Sequence, residues 1–160
     1  MKELVVKKGH FLQRSGEYNS KAYVVKSGLI RSYHIDEKGK EHIFMFGPEG
    51  WIISDYLGTT EPSILFIDAL EDSVVEVLEK KLEGIVTIDV VKIFKRVGVL
   101  QNRVLMLMSS SAIERYEHFI RTYPKIVQRV PQRMIASYLG ITPEALSKVK
   151  RERKLKKENS

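Results

Sequence analysis

The feature that most constrains this chain is a change of hydrophobic period near residue 80. Before it, short segments rich in Val, Ile, Phe and Tyr recur, namely Leu4–Val6, Tyr23–Val25, Leu29–Ile35, His42–Phe46, Ile64–Ile67 and Val74–Leu78. Turn signals separate them at intervals of roughly ten residues, the pattern of short antiparallel strands. These signals include Lys8-Gly9, Ser27-Gly28, Asp36-Glu37-Lys38-Gly39, Gly47-Pro48 and Glu61-Pro62. Such spacing predicts a jelly-roll or small barrel, with Leu29–Ile35 and His42–Phe46 paired as a hairpin. After residue 80 the apolar positions fall three and four apart, and the chain reads as helix.

The first helical stretch carries Val90, Ile93, Val97, Leu100, Val104 and Leu107 at alternating spacings of three and four. β-branched residues at the first position of each heptad (Val90, Val97, Val104) and Leu at two of the fourth positions suit a parallel two-stranded coiled coil. A helix lying on its own sheet would show much the same stripe. Apolar residues off this seam (Val91, Phe94, Val99, Leu105, Met106, Met108) imply a second buried face. The expectation is therefore an α+β protein: a β-roll over 1–85, a dimerisation helix over 86–111 and a helical unit over 112–160.

Charge is unevenly spread. The net charge is +7, yet residues 121–160 hold eleven Lys/Arg against three acids, a net +8, which leaves −1 for the first 120 residues. A polyanion partner is implied for the last quarter alone, although a solvated basic tail would carry the same charge. The longest apolar run, Val104 to Met108, is far short of the ~20 residues that span a bilayer. The N-terminal residues lack an apolar signal core, so the expected compartment is the cytoplasm. Without cysteine there is no disulfide, thiolate zinc site or cysteine-ligated iron–sulfur cluster. No cofactor is expected.

The stretch from Arg129 to Arg151 reads as a helix-turn-helix. Pro131 can open a helix where a missing N–H costs nothing. Ile135 and Leu139 lie one turn apart, and Ala136 allows a second helix to cross closely. Gly140 supplies the left-handed backbone that ends the helix, and Ile141 plugs the small core. Thr142 caps the next helix and Pro143 enters its first turn. Leu146 and Val149 then face inward, leaving Glu144, Ser147, Lys148 and Arg151 outward. Such a face enters the major groove. Glu144 could accept from cytosine N4, Lys148 could donate to guanine, and Ser147 could serve a base or a phosphate. Arg133, Thr142, Lys150, Arg151, Arg153 and Lys154 are the expected phosphate contacts.

Glu114-Arg115-Tyr116, Tyr123-Pro124, Val130-Pro131-Gln132, Ile135 through Glu144 and Leu146-Ser147 resemble the Crp/Fnr family of transcription regulators, in its compact Bacteroidetes-type branch. Lys7-Lys8-Gly9-His10, Gly28 through Tyr33 and Asp68 through Ser73 agree with that family's β-domain. The resemblance implies a cyclic-nucleotide-binding-like β-roll (a double-stranded β-helix), a long dimer helix and a DNA-binding unit. It implies double-stranded DNA and a second copy as partners, with RNA polymerase a further candidate. It places Glu144 and Lys148 on base-reading positions, whereas Pro143 replaces a polar residue that some members use. Members usually carry residues before the first strand, which leaves open a start upstream of Met1. The family's winged hairpin has no room between Leu155 and Ser160.

Cyclic-nucleotide-binding members carry a Gly-Glu pair and then an Arg followed by Ser or Ala. Here no Glu follows Gly50, Pro62 or Ser63 stands at the Arg position, and Trp51 to Asp68 contains no basic residue. Burying a phosphate there without a positive partner would be costly, so tight cyclic AMP binding is not expected. Arg31, Tyr33, Trp51, Tyr56 and Phe66 form a candidate pocket for some other effector, although aromatic residues at such positions also serve as core. Two rival readings are a cupin-like metal protein using His10, His34, His42 and Glu41, and a module whose C-terminal helices bind protein. The first lacks the His-x-His that cupins use, and the basic excess opposes the second. Nothing in the chain forms a nucleophile–base pair, P-loop or dinucleotide-binding signature, and no catalysis is expected.

Overall fold

The computed structural model describes residues 2–55, 60–79 and 90–158, without the side chains of 90–93, 95, 96 and 157. The chain divides into two compact units, Met1–Glu83 and Gly84–Ser160. No described helix is long and apolar enough to cross a membrane.

Among the described residues the first unit has eight strands: β1 (Lys2–Val6), β2 (Phe11–Gln13), β3 (Ala22–Ser27), β4 (Ile30–Ile35), β5 (Glu41–Gly47), β6 (Ile52–Ser54), β7 (Phe66–Ala69) and β8 (Ser73–Leu78). They form two antiparallel four-stranded sheets, ordered β1-β8-β3-β6 and β2-β7-β4-β5. The period-2 alternation of each strand sends one set of side chains into a shared core. Val6, Tyr23, Val25, Ile53 and Val75 enter it from the first sheet, and Ile30, Met45, Ile67 and Ala69 from the second.

The expected hairpin is present as β4–β5, with His34 opposite His42 and Ile35 opposite Glu41. Asp36 shapes its turn by accepting the backbone N–H groups of Lys38 and Lys40 at 3.0 and 2.9 Å. Strands β2 and β6 were not anticipated, since three residues are too few to show a period. The expected strand Ile64–Ile67 is displaced to Phe66–Ala69. The cause is local: the N–H groups of Ile64 and Leu65 donate to the Asp55 carboxylate and not to a neighbouring strand.

Gly28, in the β3–β4 turn, has φ +87, and a Cβ there would lie 2.5 Å from the Asp72 carbonyl oxygen and 2.8 Å from Ser73 Cα. Gly50 has a similar φ of +83 but open space around it.

The second unit contains α1 (Val90–Ser109), α2 (Ala112–Thr122), a 3-10 turn (Ile126–Gln128), α3 (Gln132–Leu139) and α4 (Pro143–Glu158). Ser110 and Ser111 separate α1 from α2. Ser111 and Glu114 form a capping box, with the Glu114 carboxylate accepting the Ser111 N–H at 2.6 Å. Phe119, Tyr123 and Tyr138 pack ring against ring with centroids 5.3–5.6 Å apart. Leu139, Leu146 and Ile135 are fully buried beside them in the sequence order that a helix-turn-helix requires.

Gly28→Ala and Gly50→Ala test the turn analysis. Each should lose about 1–2 kcal/mol to the left-handed backbone, and Gly28→Ala a further ~1–3 kcal/mol for the clash. Equal denaturation midpoints for the two variants would refute the close approach at Ser73.

Candidate nucleic-acid interface

The turn between α3 and α4 is built from backbone hydrogen bonds. Gly140 adopts φ 66 and ψ 32, its N–H reaches the Ser137 carbonyl, and the Ile141 N–H reaches Ala136 at 3.0 Å. This is a Schellman closure, which a residue with Cβ resists. A Cβ at Gly140 would find only ordinary contacts at 3.7 Å, so backbone conformation, not crowding, selects glycine. Pro131 lies just outside α3 as its cap, with ψ 144, and the helix opens at Gln132.

Thr142 Oγ1 accepts the Ala145 N–H at 3.2 Å and caps α4. Glu144 sits over the same N-terminus. Its own backbone N–H, and then the Thr142 hydroxyl, hold its carboxyl below the usual range. Ser147 donates its hydroxyl to the Pro143 carbonyl at 3.0 Å, which leaves it free to accept but not to donate elsewhere.

Helical geometry sorts the rest of α4. Leu146 and Val149 are buried, while Glu144, Ser147, Lys148, Arg151 and Lys154 are exposed, as is Arg133 on α3. Glu144, Ser147, Lys148 and Arg151 share the face opposite the buried pair. Arg151, expected as a phosphate contact, lies near the middle of that face. Lys150 is half-buried at its edge. Arg153 departs from expectation: it is half-buried and lies close enough to Tyr116 of α2 for its charge to oppose the upward shift that burial gives that phenol. Position 153 lies one turn beyond Val149, on the inward side of α4.

Sequence reasoning missed Arg115. Its guanidinium donates to three backbone carbonyls: Ser110 at 3.0 Å, Leu107 at 2.7 Å and Leu139 at 3.2 Å. Leu107 lies in the last turn of α1 and Leu139 ends α3, where helices leave carbonyls unpaired and partial negative charge accumulates. The side chain thus joins α1 to the turn that presents α4. Its sequence signals were a cation in the first turn of α2 and a place in the Glu114-Arg115-Tyr116 stretch, neither of which assigned it this role.

The residues expected to form a seam on α1 differ in exposure. Val97 and Val104 are exposed, but Leu100 and Leu107 are half-buried within the chain. The side chains of Val90 and Ile93 lie outside the described residues. The exposed stripe runs Phe94, Val97, Gln101, Val104 and Met108, still at spacings of three and four but rotated from the expected line.

Of the candidate effector-pocket residues, Arg31, Tyr33 and Phe66 lie together on the second sheet. Arg31 is buried between the Asp68 carboxylate, at 2.8 and 3.0 Å, and Glu41 at 2.6 Å, and it lies over the Tyr33 ring. Tyr33 stacks on Phe66, and burial pushes its hydroxyl up to about 12. Trp51 packs instead against the core between the sheets, and Tyr56 lies outside the described residues. An open cleft of about 700 Å³ exists elsewhere, lined by Leu4, Phe11, Leu12, Tyr23 and Val77 among others. Of the histidines, His42 pairs with Asp36 at 2.8 Å and His34 contacts the Ile64 carbonyl. Among the described residues no three His, Asp or Glu are placed to hold a metal ion.

Residues 3–82 match the family model of the cyclic nucleotide-binding domain. The chain is similar to the fumarate nitrate reduction regulatory protein of Klebsiella oxytoca, with 28% identity over 165 residues, covering 90% of this chain. It spans about 65% of the length of the curated relatives it matches. It shares its fold with FixK2 from Bradyrhizobium japonicum, with a TM-score of 0.78 at 24% identity over 97% of this chain and 85% of that one. It also shares it with a CRP/FNR-family transcriptional regulator from Thermus thermophilus, with a TM-score of 0.69 at 17% identity over 94% and 84% of the two chains.

Arg115→Ala should destabilise the helical unit by about 2–3 kcal/mol, the scale of charged hydrogen bonds left unmade. Arg115→Lys should recover only part of this, because an ammonium cannot reproduce the planar fork. Urea unfolding followed by far-UV circular dichroism checks it; an unaffected midpoint would remove Arg115 from its assigned role.

Proposed function

Because this chain belongs to the cyclic nucleotide-binding domain family, we propose that it is a DNA-binding transcription regulator of the Crp/Fnr type that acts as a homodimer. The relatives named above are regulators and not enzymes. The observation that carries the reading is the outward face of α4. It presents Glu144, Ser147, Lys148 and Arg151 opposite the buried Leu146 and Val149, on a helix braced by a glycine turn.

In this reading α4 enters the major groove. Lys148 donates to guanine and the ionised Glu144 accepts from cytosine N4. Ser147 acts as an acceptor, since its proton is committed to Pro143. Lys150, Lys154, Arg133, Thr142 and the outward Arg151 contact phosphates and hold register. Arg153 is assigned to packing against α2. The protein works in the cytoplasm, beside DNA and RNA polymerase, on a palindromic site with half-sites about one helical turn apart. Its β-unit takes no cyclic nucleotide, because the segment from Trp51 to Asp68 offers a phosphate no basic side chain.

The second copy pairs along α1 through Phe94, Val97, Gln101, Val104 and Met108. Phe94 and Met108 are 71% and 77% exposed, an arrangement that leaves large apolar surface in water unless a partner covers it. Gln101, in the middle of the stripe, would fix the register of the pair.

Two experiments test this. Selection of bound duplexes from a random pool should yield a palindrome. Lys148→Ala should relax preference at one base position per half-site, at about 1–3 kcal/mol. Lys154→Ala should weaken all sequences alike and lower the log–log salt slope by about one for each phosphate it no longer neutralises. Failure of the protein to bind any duplex at low ionic strength refutes the reading. In sedimentation, Met108→Glu should shift the protein towards monomer while Leu100→Ala should not, and the reverse order would return the seam to Leu100 and Leu107.

A further inference from the structure

A buried carboxylate between β6 and β7 gathers backbone donors from the residues just before β7. Asp55, directly after β6, is 1% exposed. Its Oδ2 accepts the backbone N–H of Ile64 at 2.8 Å and of Leu65 at 3.0 Å. The side-chain amide of Gln13, from β2, approaches the same oxygen at 3.5 Å. Gln13 is itself buried, and its amide is oriented by donating to the Leu65 carbonyl at 2.9 Å. Turning that amide over would set two carbonyl oxygens against each other.

Two successive backbone N–H groups aimed at one point form an anion-binding concavity. Strand pairing does not account for this one, because Ile64 and Leu65 precede β7. The concavity is occupied from within. An external anion reaching the same two donors would meet a buried carboxylate already in place. No Lys or Arg lies between Trp51 and Asp68 to offset a second negative charge. The buried cation of the second sheet, Arg31, is held by Asp68 and Glu41.

We propose that Asp55 is the resident anion of this concavity and a specificity-determining residue of the β-unit. It occupies a site, at the N–H groups of Ile64 and Leu65, that would otherwise take small oxyanions, carboxylate or phosphate. The inference concerns the β-unit alone and stands whether or not α4 binds DNA. It deepens the reading that cyclic nucleotide is not the ligand, by naming the group that takes the anion's place.

The test uses the full chain and formate as the probe, against chloride at equal ionic strength. Asp55→Gly removes the carboxylate but leaves both backbone donors. The melting temperature of the unaltered protein should be the same in both salts. The variant should melt lower, and formate but not chloride should restore part of the loss in a saturable way. No rescue, or an equal gain in the unaltered protein, overturns the proposal. Should Asp55→Gly not fold, Asp55→Asn carries the test through amide hydrogen exchange. Ile64 and Leu65 should exchange slowly in the unaltered protein and at least tenfold faster in the Asn variant, and equal rates overturn the proposal. Calorimetry with cyclic AMP separates this from the earlier reading. Micromolar binding that leaves the Ile64 and Leu65 exchange unchanged would refute only the earlier reading and support this one, whereas binding that alters their exchange overturns both.

Discussion

A single guanidinium gathers the loose ends of two helices. Arg115 donates to Leu107 and Ser110 at the end of α1 and to Leu139 at the end of α3. Those carbonyls face away from any intrahelical donor, so without a partner they would need water. Arginine suits the task because it is always charged and carries five donors in a rigid plane. The direction in which α4 presents its polar face relative to α1 depends on this joint. Gly140 completes it by letting the chain turn at Leu139 while that carbonyl stays available.

The β-unit follows the same economy of charge. Arg31 is sandwiched by Asp68 and Glu41 above the Tyr33 ring, and Asp55 is sealed against the amides of its own loop. A buried charge is tolerable only when paired or well hydrogen-bonded. Here both partners are supplied by the chain.

Some elements were legible from residue order because their causes are local. The hairpin β4–β5 follows from alternation around an Asp-Glu-Lys-Gly-Lys turn, and the α3–α4 turn from Gly-Ile-Thr-Pro between two apolar runs. Strands β2 and β6 were not legible, since three residues cannot display a period. The exposed stripe of α1 was only half legible. Spacings of three and four recur along several lines of a helix rich in apolar residues, and only packing shows that Leu107 is engaged beside Arg115 and Gly140 while Met108 is not. That Arg153 lies on the inward side of α4 was not legible, because composition counts cations without their direction.

Residue order by itself determined the two-part organisation, the glycine-turned helix pair and the concentration of positive charge in the last quarter. These depend on backbone preference, period and charge, which act over a few residues. The tertiary structure alone decided which cations point outward, which stripe of α1 is left uncovered, and that Asp55 lies on the amides of Ile64 and Leu65. Those outcomes join residues nine or more positions apart, or depend on which side of a helix its neighbours cover. A contact of that kind is set by how whole elements pack, and no local pattern in the chain encodes it.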